Sequence, residues 1–328
     1  MHALRTLVAT VSATEGERVS ARALGLLAGY LADRRWGDPR RGHPVGAFGS
    51  AAAELERQMW ADDRRAGIAY TAALVGGPAL IAHAVEGMTR RAPLVRFVVT
   101  AATTWAVLGG RSLTDEAVAV GELLGKADLD TARQRLTHLV GRDTADLDTP
   151  EITRAVVESV AENTSDAVVA PLLAGAVAGI PGLIAYRAAN TLDAMVGHRS
   201  PRHSNFGWAT ARLDDALNWV PARLTAALAA LFAPAIGGDT GQALKVWRRD
   251  ASAHPSPNAG QVEAAFAGAL DVRLGGVNTY QGVPEDRHTL GDGQFPAPSD
   301  IHRATRLSVL IGNATAALAV AWSGYARG

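Results

Sequence analysis

Apolar residues in this chain gather into runs instead of spreading evenly. The clearest, 68–86, 167–186 and 307–326, have about the 18–20 residues that a helix needs to cross roughly 30 Å of hydrocarbon. In 68–86 only His83 and the terminal Glu86 can ionise, and the other two carry no charge. Weaker runs lie at 21–32, 93–110 and 216–238, the last two interrupted by Arg96 and Arg223. The polar segments between them, 33–67, 111–166, 187–215 and 237–306, show helical patterning; in 111–160 the apolar positions Val118, Leu123, Leu124, Leu129, Leu136, Leu139 and Val140 read as short amphipathic helices. Ser256-Pro257 reads as an N-cap with proline at the first helical position, opening a helix through Arg273 that Gly275-Gly276 ends. The Gly- and Pro-rich stretch 275–298 then reads as irregular loop. The pattern predicts an all-α, polytopic integral membrane protein with about 4–6 membrane segments and amphipathic helices in large polar loops, forming a single domain over 1–328.

Topology turns on the breaks within these runs. Segments 33–67, 111–166 and 237–306 carry most of the arginines, so the positive-inside bias places them on the cytoplasmic side. If 167–186 and 216–238 both cross, 187–215 lies on the opposite face. However, 167–186 contains Pro171 and Gly179-Ile180-Pro181-Gly182, and 216–238 contains Pro221 and Pro234. Non-helical backbone at membrane depth is tolerated where it is buried in protein or lines a watery cavity. Broken or re-entrant helices around a cavity are therefore expected, with the polar signatures sharing one cytoplasmic face. The first twenty residues lack the charged-then-apolar order and the cleavage site of a signal peptide.

Composition narrows the chemistry. The chain is 48% hydrophobic and 20% charged, with a formal net charge of zero. Its mean hydropathy of +0.06 is low for a transporter. The competing fold is a set of buried helices in a large Ala-rich soluble protein, which three uncharged runs of membrane length oppose. Zero net charge and no basic stripe argue against nucleic acid as a partner. Cysteine is absent, which excludes disulfides, thiolate metal sites and thiol nucleophiles. Only Lys126 and Lys245 among the 32 basic residues are lysine, so an anionic substrate must be held mainly by guanidinium forks.

Several constellations could carry chemistry. Glu158, Glu162 and Asp166 are spaced i, i+4, i+8, a row of like charges that a cation such as Mg²⁺ would relieve; an exposed turn with Asn163 near a cap explains it equally well. Arg187, Asn190 and Asp193 share one helix face opposite Ala185, Ala189, Leu192, Met195 and Val196, which suits either an interfacial helix or a site. Arg212, Asp214, Asp215 and Asn218 repeat the theme before another apolar run, where a structural Arg–Asp pair is the rival reading. Asn258, Gln261, Glu263 and Arg273 lie on or near the helix after Pro257. His43 sits in the constrained turn Asp38-Pro39-Arg40-Arg41-Gly42-His43-Pro44. There is no Walker loop, Rossmann glycine motif, H-E-x-x-H or G-x-S-x-G, so any nucleotide is bound by other means.

Five collinear blocks carry a resemblance: G-Y-L-A-D-R-R-W-G-D-P-R-R-G-H-P-V-G-A-F-G (29–49), S-V-A-E-N-T-S-D-A-V-V-A-P-L (159–172), Y-R-A-A-N-T-L-D-A-M-V-G (186–197), F-G-W-A-T-A-R-L-D-D-A-L-N-W-V-P-A-R-L (206–224) and P-N-A-G-Q-V-E-A-A-F-A-G-A-L-D-V-R-L-G-G (257–276). Together they resemble the adenosylcobinamide-phosphate synthase (CobD/CbiB) family of cobalamin biosynthesis. Positions 198 and 203 depart from it, being histidine where that pattern has an aromatic residue, usually tyrosine. The resemblance implies a multi-pass enzyme of the cell membrane, with its site facing the cytoplasm. Such an enzyme uses ATP and Mg²⁺ to join a propionate carboxylate of adenosylcobyric acid to (R)-1-aminopropan-2-ol or its O-phosphate. On that reading Glu162, Asp166, Asp214 and Asp215 are candidates for catalysis, with Glu162, Asp166 and Asp215 as Mg²⁺ ligands. Arg187, Arg212 and Arg273 would hold phosphates; Asn163, Asn190, Asn258 and Gln261 would orient amides and carboxylates; Asp193, Glu263 and His43 complete the substrate-binding set. Other late cobalamin-pathway enzymes are expected partners beside the lipid bilayer. The alternatives are a non-catalytic regulator related to the AmpE proteins and a corrinoid transporter.

Overall fold

The computed structural model describes residues 20–38, 43–198, 200–280 and 282–325. The start of the chain, considered above for a signal peptide, and residues 39–42 of the first polar turn lie outside them. Helices run as α1 (Ala21–Trp36), α2 (Pro44–Met59), α3 (Arg64–Thr71), α4 (Gly77–Met88) and α5 (Pro93–Val107). They continue as α6 (Gly110–Gly125), α7 (Leu129–Leu136), α8 (Thr149–Thr164), α9 (Ala170–Leu192) and α10 (Trp208–Leu217). Then come α11 (Trp219–Phe232), α12 (Thr240–Asp250), α13 (Ala259–Leu270), the strands β1 (Leu274–Tyr280) and β2 (Val283–Leu290), and α14 (Pro298–Tyr325). Among the described residues, five helical stretches are long and apolar enough to cross a membrane: Arg64–Met88, Pro93–Gly125, Thr149–Gly197, Trp219–Ile236 and Pro298–Gly324. The protein is an all-α polytopic membrane protein, as its apolar runs predict. Two compact units divide the chain, one of residues 1–109, 170–217 and 315–328, the other of 110–169 and 218–314.

In the first unit, α1 packs on α5 through small residues. A Cβ added at Gly25 would lie 2.6 Å from Thr100 Cβ, and one at Gly29 2.4 Å from Thr104 Cβ, so Gly25-x-x-x-Gly29 lets the two backbones approach closely. α9 is not one rod. Gly179 has φ +69° and ψ −147°, outside helical space, and the chain doubles back there. The proof is contact across the turn: a Cβ at Gly182 would be 2.2 Å from the Ala174 carbonyl oxygen, and one at Gly175 2.9 Å from Leu183 Cδ2. Residues eight apart on a continuous helix would be about 12 Å apart. Gly179-Ile180-Pro181-Gly182 therefore makes a helical hairpin, the broken segment that the sequence predicts.

The tip of this hairpin is held by charge. Arg22 donates to the Ala176 and Val177 carbonyls, both at 3.3 Å, which the break leaves without helical partners. Its other terminal nitrogen lies 2.9 Å from Glu86, to which Arg96 also pairs directly. The ionisable residues that interrupt the apolar runs at 86 and 96 thus neutralise each other inside the unit, beside Arg22. Elsewhere in it Ala52, Tyr70, Leu192, Val196 and Phe206 form a buried cluster, with the Tyr70 and Phe206 rings 5.0 Å apart.

Three expectations change. Pro221 falls in the first turn of α11 and Pro234 in the 3-10 turn Ala233–Ile236 that closes it, positions where a missing N–H costs nothing; the stretch 216–238 is interrupted at Asn218, between α10 and α11, and is helical without a break from Trp219 to Phe232. The helix expected through Arg273 ends at Leu270, because Asp271 adopts the left-handed conformation at φ 57° and stops it. Ser256 does cap, its hydroxyl accepting from Asn258 N and Ala259 N, yet the regular helix starts at Ala259. The stretch 275–298, expected as irregular loop, contains an antiparallel hairpin of β1 and β2. Gly275 and Gly276, at φ 74° and 86°, bulge β1 and hide its alternation in sequence.

Candidate functional site

The second unit carries a polar cluster in its interior. α8 opens on a capping box, Asp148 and Glu151 each bonding the other's backbone N–H at 2.9 Å, and presents Arg154, Glu158 and Glu162 one turn apart. Glu158 is saturated: Arg142 donates to it at 2.7 Å, Gly275 N–H donates at 2.7 Å, and Arg154 stands 3.6 Å away. Arg142 also donates to Asn278 at 2.8 Å, so the hairpin is fastened onto α8 through one buried guanidinium. Glu158 holds the Arg142 charge in place, raising its pKa against burial.

The remaining acids of this cluster are not saturated. Glu162, partly exposed, and Glu263 of α13, buried, accept no hydrogen bond from the described residues. His254 Nδ1 accepts from Ser256 N–H at 3.0 Å, which leaves the proton of the neutral ring on Nε2. That Nε2 is buried without a hydrogen-bond partner among the described residues, 3.8 Å from Glu263 Oε1. Burial and then the Arg287 charge press the His254 pKa down to about 4, so the ring is neutral near pH 7. Burial, then Glu158 and Glu162, push the Glu263 carboxyl well above the usual range. β2 brings Arg287, whose guanidinium stacks 5.2 Å from the Tyr280 ring centre.

The other sequence candidates divide between the units. In the second, Asn163 donates to Ser159 O at 3.0 Å, and Asp166 lies in the π-helical turn Ser165–Val169, directly before Pro171. Asn258 accepts from Arg223 at 3.4 Å, and Gln261 accepts from Trp247 Nε1 at 2.9 Å. Arg273 stacks on Phe295 at 5.3 Å. In the first unit, Arg187 donates through Nε to the Val107 carbonyl at 2.7 Å and through Nη1 to Asn190 at 3.3 Å, and Asn190 donates to Asp214 at 3.4 Å. Arg187 thereby caps the C-terminus of α5. Asp193 opens a second π turn, Asp193–Gly197. Arg212 pairs with Asp215 at 3.4 Å on an exposed face. His43 caps α2 by accepting from Val45 N at 3.2 Å, the structural role for a lone histidine in a turn. His203 lies 3.1 Å from Glu56, with the His198 ring 5.1 Å away, so this departure from the family pattern builds a His–His–Glu contact.

The expected Mg²⁺ ligands Glu162, Asp166 and Asp215 are not gathered in one unit, and no three His, Asp or Glu among the described residues form a metal-holding group. Glu158, the natural third member of the α8 row, is consumed by arginines and a backbone N–H. Sequence reasoning missed Arg142, His254, Tyr280 and Arg287. His254-Pro255, just before the proline-capped helix, was the one local signal; nothing adjacent to Arg142 or Arg287 marks them.

The helical spans define a polytopic membrane protein, and its second unit carries this interior polar cluster. The CobD/Cbib protein family matches residues 26–308. "Cobalamin biosynthesis protein CobD" of Mycobacterium tuberculosis is 51% identical over 299 residues, 91% of this chain and 95% of that protein. Proteins of the same name from Geobacter metallireducens and Rhodobacter capsulatus are 45% identical over 285 residues (85% and 90% of the chains) and 42% over 272 residues (82% and 85%). No solved structure matches. The chain belongs to the CobD/CbiB family.

Proposed function

We propose that the protein acts in cobalamin biosynthesis as an ATP- and Mg²⁺-dependent ligase, forming an amide between the propionate carboxylate of adenosylcobyric acid and (R)-1-aminopropan-2-ol or its O-phosphate, at the cytoplasmic face of the cell membrane. Family membership and the printed names of the relatives support the pathway. The observation that carries the chemistry is the cluster in which Glu162 and Glu263 stay unsaturated beside Arg142 and Arg287. Such a place holds an amine at its acids and anionic oxygens at its guanidiniums.

A carboxylate does not condense with an amine in water, so phosphorylation by ATP to an acyl phosphate is the sensible activation. Mg²⁺ enters this reading with the nucleotide, where it neutralises phosphate charge, and not as an ion resident in the protein. Arg273, stacked but making no side-chain hydrogen bond among the described residues, has donors to spare for phosphate. The test is direct. Membranes containing the protein, given adenosylcobyric acid, aminopropanol phosphate and ATP-Mg²⁺, should form the amide and release inorganic phosphate. Correctly inserted protein that forms neither would overturn the reading.

A further inference from the structure

Glu263 and His254 stand out because the protein buries both deeply and then leaves them short of partners. Their side chains are 4% and 1% exposed. Glu263 faces His254 from the preceding loop, Glu158 and Glu162 from α8, Arg142 from the loop before α8, and Arg287 from the hairpin. Burying an ionisable carboxyl among like charges is costly unless something compensates. Here the hydrophobic and small residues of α13, Ala259, Val262, Ala264, Ala265, Phe266 and Ala267, are all buried, so the helix would pack as well with an apolar residue at 263. His254 adds an independent sign. Its tautomer is set by Ser256 N–H, and its Nε2 lies 3.8 Å from Glu263 Oε1, too far for a hydrogen bond. A buried donor and a buried acceptor thus stand 3.8 Å apart, neither with a hydrogen-bond partner among the described residues.

We propose that Glu263 is the base that accepts the proton of the attacking amine, and that His254 is a positioning residue, its Nε2–H facing the carboxylate. The assignment rests on the ligation reading above and deepens it, since the acids first considered as the base were Glu162, Asp166, Asp214 and Asp215. In the step, the amine nitrogen attacks the acyl-phosphate carbon and a C–N bond forms. The C–O bond to phosphorus-bound oxygen breaks and inorganic phosphate leaves with that electron pair. The proton released from nitrogen passes to the Glu263 carboxylate. A carboxyl whose affinity for protons lies above the ordinary range suits this task near neutral pH.

Steady-state kinetics over a pH series on wild type, E263Q and H254N test the assignment. Wild type should lose kcat below an acid limb that lies above the ordinary carboxylate range. E263Q should lower kcat by about 10²- to 10⁴-fold with KM for the amine little changed, and the limb should vanish. H254N should move the limb to higher pH, because the Nε2–H that faces the charged carboxylate from 3.8 Å is lost. If E263Q does not insert, E263D with H254N gives the same pH readout. Wild-type amide formation with near-normal kcat and an unchanged limb in E263Q, or in E263D where that substitute is used, overturns the base assignment and leaves ligation standing. No amide from inserted wild type overturns both.

Discussion

The two units each bury a charged cluster, and they use it differently. Around Glu86 a single carboxylate is shared by Arg22 and Arg96, and the same Arg22 closes the carbonyls freed at the Gly179 turn. Around Glu263 acids outnumber their hydrogen-bond donors, and His254 Nε2–H has no acceptor within bonding distance. A saturated carboxylate fastens backbone; an unsaturated one is held ready for something that arrives. Glu158 shows that this is not a matter of location, because it lies in the same cluster as Glu263 yet is as fully bonded as Glu86.

Substitutions can break this contrast. The largest effect is expected at the saturated acids. Glu86→Ala leaves two buried arginines without a counter-ion and should cost about 3–5 kcal/mol, read as a loss of melting temperature in detergent. Glu158→Gln should destabilise similarly by stranding Arg142 and Arg154, whereas Glu263→Gln should be neutral or stabilising. Equal losses from E158Q and E263Q would erase the distinction. A smaller effect is expected from packing: Gly29→Ala drives a methyl into Thr104 and the Ala101 carbonyl, costing about 1–3 kcal/mol.

Acid stability should sharpen the contrast. His254 is neutral in the fold down to about pH 4, while the unfolded chain protonates from about 6.5. The unfolded state binds more protons across that window, so stability falls as pH drops through it, by up to about 1.4 kcal/mol per pH unit. His254→Asn should flatten this part of the pH–melting curve. Glu263 has the opposite sign: the fold binds its proton more tightly than the unfolded chain, so above about pH 4.5 its contribution falls as pH rises. Glu263→Gln should remove that loss on the alkaline side.

Much of the fold was legible in the sequence because membrane helices advertise themselves by length and charge exclusion, and Gly-Ile-Pro-Gly advertises a break. Pro221 and Pro234 misled because a proline is judged by its place in a helix, and apolar pattern alone does not locate helix ends. The candidate site was half legible. Glu162 and Glu263 belong to helices with visible periodicity, but their partners come from loops and a glycine-bulged hairpin, brought in by contacts across 100 residues or more of chain, such as Gly275 N to Glu158. Arg187 and His43 had the right residue types for binding, yet the structure engages them in closing helix ends.

The turn at Gly179 also bears on how the protein is made. α1, α4 and α5 leave the ribosome before residues 170–192, so Arg22, Glu86 and Arg96 can assemble a charged socket before the segment that fills it exists. The hairpin would then enter as a plug into a waiting receptacle, and a nascent chain halted at residue 169 would carry that socket open into the bilayer.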